Sequence, residues 1–121
     1  MTGKYSDAAR WTERPEAWHV VSEGVRRRIL NHASTGMMVL YRIDSDKVFP
    51  LHNHPHAQFG VFLEGSGIFK VGNKTWHMKS GDSYFIPPGV MHELKTTEKC
   101  VVVDFFTPER EDYLVEALDP E

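Results

Sequence analysis

Cysteine is almost missing from this chain: Cys100 stands alone, which excludes an intrachain disulfide framework and makes a reducing compartment the expectation. It lies in the apolar run CVVVDFF and reads as a small core residue. Long hydrophobic runs are missing as well. No stretch approaches the roughly 20 apolar residues that span a bilayer. The N-terminal part carries Asp7, Arg10, Glu13, Arg14, Glu16 and Glu23 without an apolar block of signal-peptide length. A cytoplasmic protein with no membrane partner is therefore expected. A dominant charge is lacking too, since 14 Lys and Arg against 17 Asp and Glu leave a net charge of −3. The one block of like charge is Arg26, Arg27 and Arg28. Successive strand residues alternate faces, so this triplet reads as a solvated edge rather than a nucleic-acid patch, and no nucleic-acid partner is expected. Repeats at solenoid or propeller periods and low-complexity tracts are absent.

What is present is a series of short β-stretches. The 121 residues suit one domain with one core. From Gly24 onward the chain reads VRRRIL, MMVLYRI, KVFPLHNH, QFGVFLEG, GIFKVG, KTWHMK, DSYFIPP, HELKTT and KCVVVDFF, separated by Gly, Pro, Asn, Asp and Ser clusters. Many short strands at regular spacing predict an all-β antiparallel sandwich or barrel over residues 24–107. Residues 1–23 are polar apart from Trp11 and Trp18, and read as an N-terminal arm or a covering strand. Thr107 followed by Pro108 has the pattern of an N-cap and first helical residue, which predicts a short closing helix from Glu109 and a tail within 108–121.

The stretch HNHPHAQFG, residues 52–60, places three histidines in five positions in the middle of the chain. On a strand, side chains two apart share a face, so His52 and His54 project together and can chelate one ion. Pro55 interrupts the ladder, which leaves the direction of His56 open. Gln58 lies four residues after His54 and can offer a carbonyl oxygen, so either His56 or Gln58 is a candidate third ligand. In GDSYFIPPGVMH, Pro87, Pro88 and Gly89 make a tight bend that delivers His92 as a further candidate. Any one of these histidines alone reads as a hydrogen-bonded strand residue; two spaced elements together point to a divalent metal site. Imidazole suits Zn, Ni, Mn and Fe alike, so the identity stays open.

Alternation in KCVVVDFF puts Cys100, Val102, Asp104 and Phe106 on one face. A carboxylate on an otherwise apolar face is costly unless it is paired, hydrogen-bonded or close to a cation. One reading is an ion pair between Asp104 and Arg110 that pins the closing helix. The other makes Asp104 a general acid or base, Phe106 an apolar wall, and Arg110 a bidentate grip on a substrate carboxylate. Tyr41 and Tyr84 line a cavity or fill the core. His19, His32 and His77 belong to no motif, and His77 is expected at the rim or in solvent.

HNHPHAQ with Gly65 seven residues after Gln58 resembles the first cupin motif. GDSYFIPPGVMH, which reads G-x5-P-x-G-x2-H, resembles the second. The resemblance implies a small double-stranded β-helix, a jelly-roll-like barrel, with His52, His54, Gln58 and His92 as metal ligands. Most metal-binding cupins carry Glu where this chain has Gln58. Three imidazoles and an amide leave a divalent ion its full charge and remove the signature of two histidines and one carboxylate typical of non-haem iron oxygenases. DFFTPEREDYL, GVRRRIL and HPHAQFGVFLEG are similar to the KdgF-type proteins that linearise uronates, in which the residues matching Asp104, Phe106 and Arg110 serve catalysis. That resemblance implies a metal-dependent enzyme acting on a small anionic sugar, a cyclic 4,5-unsaturated monouronate, and a homodimer formed through the N-terminal arm. The competing readings are a metal-dependent oxygenase or lyase on another small molecule, and a non-catalytic ligand-binding module.

Overall fold

The computed structural model describes residues 8, 10–12 and 17–118. In chain order these form β1 (His19–Ser22), β2 (Val25–Ala33), β3 (Gly36–Ile43), β4 (Val48–His52), β5 (Ala57–Glu64), β6 (Ser66–Val71), β7 (Lys74–Lys79), β8 (Ser83–Ile86), β9 (His92–Thr96), β10 (Cys100–Thr107) and α1 (Glu111–Leu118). Each β-stretch expected from alternation and turn residues contains a strand. The separators act as turns for a physical reason: Gly72, with φ 60°, opens the two-residue connection between β6 and β7, a conformation that residues bearing a Cβ rarely adopt. Parts of the expected arm (1–7, 9 and 13–16) and the tail at 119–121 lie outside the described residues.

The strands assemble into a six-stranded sheet, β1-β2-β3-β10-β5-β8, and a four-stranded sheet, β4-β9-β6-β7, with antiparallel pairings throughout. This is an all-β architecture of two antiparallel sheets with one short helix. Between the sheets lies a core that includes Met37, Val39, Phe62, Ile86, Val102 and Phe106, each at most 2% exposed. Burial on β10 alternates as expected: Cys100, Val102, Asp104 and Phe106 are inside, while Phe105 is exposed. On the opposite face of the larger sheet, Met38, Phe105, Phe59 and Phe85 run side by side across four strands and remain partly exposed.

Three local expectations need correction. The helix begins at Glu111 rather than Glu109; the Arg110 carbonyl accepts from the Tyr113 and Leu114 amides, so Arg110 rather than Thr107 occupies the capping position. The Thr107–Pro108 peptide is cis. The arginine triplet is a solvated edge only in part: Arg26 is exposed and Arg28 half-buried. Arg27 is 7% exposed and faces inward, between Val25 and Ile29 on the same strand face. Arg26, Arg28 and Arg42 gather at 5.2–5.6 Å from the Trp18 ring, so cation–π contact fixes the outer face of these strands. Finally, β4 ends at His52, which leaves His54 beyond the strand.

Candidate functional site

Histidines 52, 54 and 92 meet because two loops are tied together beside a strand pair. His52 closes β4 and His92 opens β9, and the two are direct cross-strand partners. The Gly89 amide donates to the His54 carbonyl at 2.8 Å, and the Asn53 side-chain amide donates to the Gly89 carbonyl at 3.1 Å. The resulting ring centroids are 4.3 Å apart for His52 and His92, 4.9 Å for His54 and His92, and 5.8 Å for His52 and His54. One ligand nitrogen from each lies within 4.8 Å of the others.

The protonation pattern of this cluster follows from its backbone contacts. Nδ1 of His52 faces the Pro50 carbonyl at 2.8 Å, Nδ1 of His54 faces the His56 carbonyl at 3.0 Å, and Nδ1 of His92 faces the Val90 carbonyl at 2.9 Å. A carbonyl only accepts, so each Nδ1 carries the proton and each Nε2 of a neutral ring offers a lone pair. The rings of His92 and His54 favour that neutral form: burial is the main cause, and it brings the His92 pKa down to about 4 and lowers that of His54. Nε2 of His92 is buried without a hydrogen-bond partner. The Gln58 carbonyl oxygen lies 2.9 Å from Nε2 of His54, two acceptors set against each other. A divalent cation between these lone pairs resolves both the orphaned nitrogen and the facing acceptors, so the donor set fits a metal. His56 packs its ring 5.7 Å from that of His54, but it is not one of the three histidines whose ligand nitrogens lie within 4.8 Å of one another.

Next to the cluster stands the buried acid. Asp104 on β10, Gly60 on β5 and Tyr84 on β8 lie in one row across the larger sheet. A side chain at position 60 would collide with both Tyr84 and Asp104, so glycine lets the Tyr84 hydroxyl reach over β5 and donate to the Asp104 carboxylate. The Gln58 amide also hydrogen-bonds Asp104 and Tyr84, and its oxygen faces His54, so one side chain bridges acid and histidines. Burial pushes the Asp104 pKa up to about 7; the hydrogen bonds from Tyr84 and Gln58 and the charge of Arg110 oppose that rise. Such a carboxyl both holds and releases a proton near neutral pH.

Asp104, Phe106, Arg110, Gln58 and the three histidines line one cavity of about 340 Å³, within the usual range for small-molecule sites of about 300–1,000 Å³. The Arg110 guanidinium stacks 4.2 Å from the Tyr113 ring centroid and 5.0 Å from that of Phe106. It does not pair with Asp104. Its Nε and Nη2 donate to Asp112 at 3.1 and 2.9 Å, so its two-pronged edge is engaged on its own helix. The sequence reading missed Arg27 as a cavity residue, left Tyr84 undecided and did not consider Tyr113; all three line the cavity. The signal for Arg27 was the apolar residue two positions away on either side.

Comparisons with known proteins agree with this architecture. The model of the cupin domain family matches residues 39–106. The pectin degradation protein KdgF of Dickeya dadantii is 27% identical over 99 residues, covering 80% of this chain and 90% of the relative. The solved structure of KdgF from Halomonas sp. is 26% identical with a TM-score of 0.82, covering 88% of this chain and 98% of its own. An RmlC-like cupin from Shewanella frigidimarina is 25% identical with a TM-score of 0.81 over 88% of this chain and 96% of its own. Salicylate 1,2-dioxygenase from Pseudoaminobacter salicylatoxidans, at 17% identity and a TM-score of 0.67, shares the fold. The family match runs from β3 into β10, over more than half of the chain and through both histidine segments, and on that ground the chain belongs to the cupin family.

Proposed function

We propose that this protein is a KdgF-like enzyme of pectin or alginate breakdown that opens cyclic 4,5-unsaturated monouronates to their linear keto forms without redox change. The observation that carries the reading is the buried Asp104 carboxyl, held by Tyr84 across Gly60 in the same cavity as the three-histidine cluster. The likeness to the two KdgF proteins supports it.

The reaction needs one proton moved. As the bond between C1 and the ring oxygen breaks, the C1 hydroxyl loses its proton and becomes an aldehyde, while the ring oxygen is left as an enolate on C5. The enolate then takes a proton at C4 and becomes a ketone. One proton leaves oxygen and one arrives at carbon, so a single carboxyl that accepts and returns it balances the sequence. Asp104 has that role, and its pKa of about 7 suits both halves. Tyr84 holds the carboxyl oriented. Gln58 fixes the distance between acid and histidines, Phe106 forms an apolar wall, and Arg110 adds positive charge beside the substrate acid. His52, His54, His92 and the Gln58 oxygen would hold a divalent ion such as Zn, Ni, Mn or Fe. That ion, when bound, supplies Lewis-acid stabilisation of negative charge on substrate oxygens.

Replacing Asp104 by Asn keeps the shape and removes the exchangeable proton. The Asp104→Asn variant should retain its metal and lose about 100- to 10,000-fold in turnover; full turnover with metal quantified would eliminate the proton-transfer role. A homodimer belongs to the same proposal, with the exposed row of Met38, Phe105, Phe59 and Phe85 as the apolar surface it would cover, and sedimentation equilibrium reads it directly as mass.

A further inference from the structure

Arg110 enters the reaction scheme above only as positive charge beside the substrate acid, yet its guanidinium is held on three sides. The rings of Phe106 and Tyr113 flank it, with centroids 5.0 and 4.2 Å away. On the third side the Asp112 carboxylate accepts from Nε at 3.1 Å and from Nη2 at 2.9 Å, one oxygen to each. The pair is unevenly placed: the Arg110 side chain is 11% exposed and that of Asp112 58%. Arg110 lines the cavity, whereas Asp112 does not, so the carboxylate holds the cation from the solvent side. Both residues belong to the first turn of the helix, where the Arg110 carbonyl accepts from the Tyr113 and Leu114 amides. The backbone therefore fixes the distance between them.

A guanidinium has a second fork. Asp112 fills the side-on edge made by Nε and Nη2, and of the five N–H groups that leaves the end-on edge made by Nη1 and Nη2. Such an edge also takes a carboxylate with two parallel hydrogen bonds. Among the described residues no hydrogen bond engages Nη1, and it is not one of the buried polar atoms left without a partner, so it is open to solvent. The charge of Arg110 acts on Asp104, His54 and His92, which places the open fork near the groups that would do the chemistry. Two opposed effects follow from Asp112. Its negative charge competes with an incoming acid, but that charge is mostly exposed and screened by water. Its restraint removes the freedom of a long side chain before a ligand arrives, and screening does not weaken that. The restraint prevails.

We propose that Asp112 aims Arg110: by filling the side-on edge it holds the guanidinium so that the end-on fork meets the substrate carboxylate. The inference rests on the uronate reading and names how the acid of that substrate is recognised. Asp112 is a positioning residue that acts through Arg110, with the proton transfer left to Asp104.

The test uses metal-loaded full-length protein, with D-galacturonate as an unreactive acid and D-galactose as its neutral counterpart, both titrated by NMR. Turnover of unsaturated galacturonate is measured in parallel. Wild-type protein should prefer galacturonate. Asp112→Ala should weaken galacturonate binding by about 3- to 10-fold, leave galactose binding as it was, and raise KM by a similar factor with kcat little changed. Asp112→Asn keeps one acceptor oxygen, so it should show a smaller loss; it also serves if Asp112→Ala does not fold. Glu111→Ala removes the other acid of the same helical turn and should leave both sugars bound as before. Unchanged or tighter galacturonate binding in Asp112→Ala, an equal loss for acid and neutral sugar, or the same loss in Glu111→Ala overturns the inference. Where turnover is seen without measurable galacturonate binding, KM decides: a value in Asp112→Ala equal to or below that of wild type overturns it. Wild-type protein that binds galacturonate in this Asp112-dependent way yet opens no unsaturated uronate overturns the proposed reaction and leaves the carboxylate grip standing. Loaded wild-type protein that neither binds galacturonate nor opens the unsaturated uronate overturns both.

Discussion

Asp104 and Tyr84 sit on β10 and β8, with β5 between them, and they touch because position 60 has no side chain. Gly60→Ala would place a methyl group against both partners, and neither can move far inside a packed sheet. Overpacking of this kind costs about 1–3 kcal/mol, so the variant should unfold at lower urea concentration and lose activity together. Denaturant unfolding beside an activity assay checks this; a stable variant with a weakened enzyme would mean that the hydrogen bond, not the packing, is what glycine protects. The raised pKa of Asp104 has a second consequence. A carboxyl whose pKa rises from 3.8 to about 7 on folding stabilises the fold fully below pH 3.8, and that contribution is lost as the pH rises through about 7. In metal-free protein, the stability difference between wild type and Asp104→Asn should therefore shift against wild type from pH 4 to pH 8. The buried histidines titrate in both proteins and cancel in the difference. A pH-independent difference would show that Asp104 is not held in the protonated form.

Among the elements, the loop that carries His54 and the bend that carries His92 act as one unit through the Asn53 and Gly89 contacts. Asn53→Ala removes one exposed hydrogen bond, worth about 1 kcal/mol. Metal affinity should then fall by roughly fivefold in a chelator competition with the fold intact; an unchanged affinity would show that the backbone contact alone aligns the histidines. The strands were legible in the sequence because alternation and turn residues are local signals, and β10 displays them most clearly, with Asp104 as the single acid on its inner face. The histidine segments were legible for the same reason. Arg27 was not, since three consecutive arginines suggest a wet surface until the apolar neighbours two residues away are weighed. The helix start was misjudged because Thr107 and Pro108 imitate a cap, whereas Glu111 and Asp112 form the acidic first turn. The Tyr84 contact depends on the registers β5·β8 and β5·β10, which no local pattern reports.

For the whole molecule, two antiparallel sheets close over one cavity of about 340 Å³, room for a monosaccharide, with histidines, a buried acid and two arginines on its walls. Among the described residues no helix is long and apolar enough to cross a membrane. Family membership explains the scaffold, whereas the account of function depends on this arrangement of side chains. The most direct test is an NMR time course of metal-quantified protein with freshly released unsaturated galacturonate, following loss of the ring form against a no-enzyme control. Ring opening accelerated by the protein, abolished by chelator and restored by added divalent metal, is the result the account predicts. No acceleration by fully loaded protein would contradict it and leave a cupin that binds, or acts on, a different small molecule.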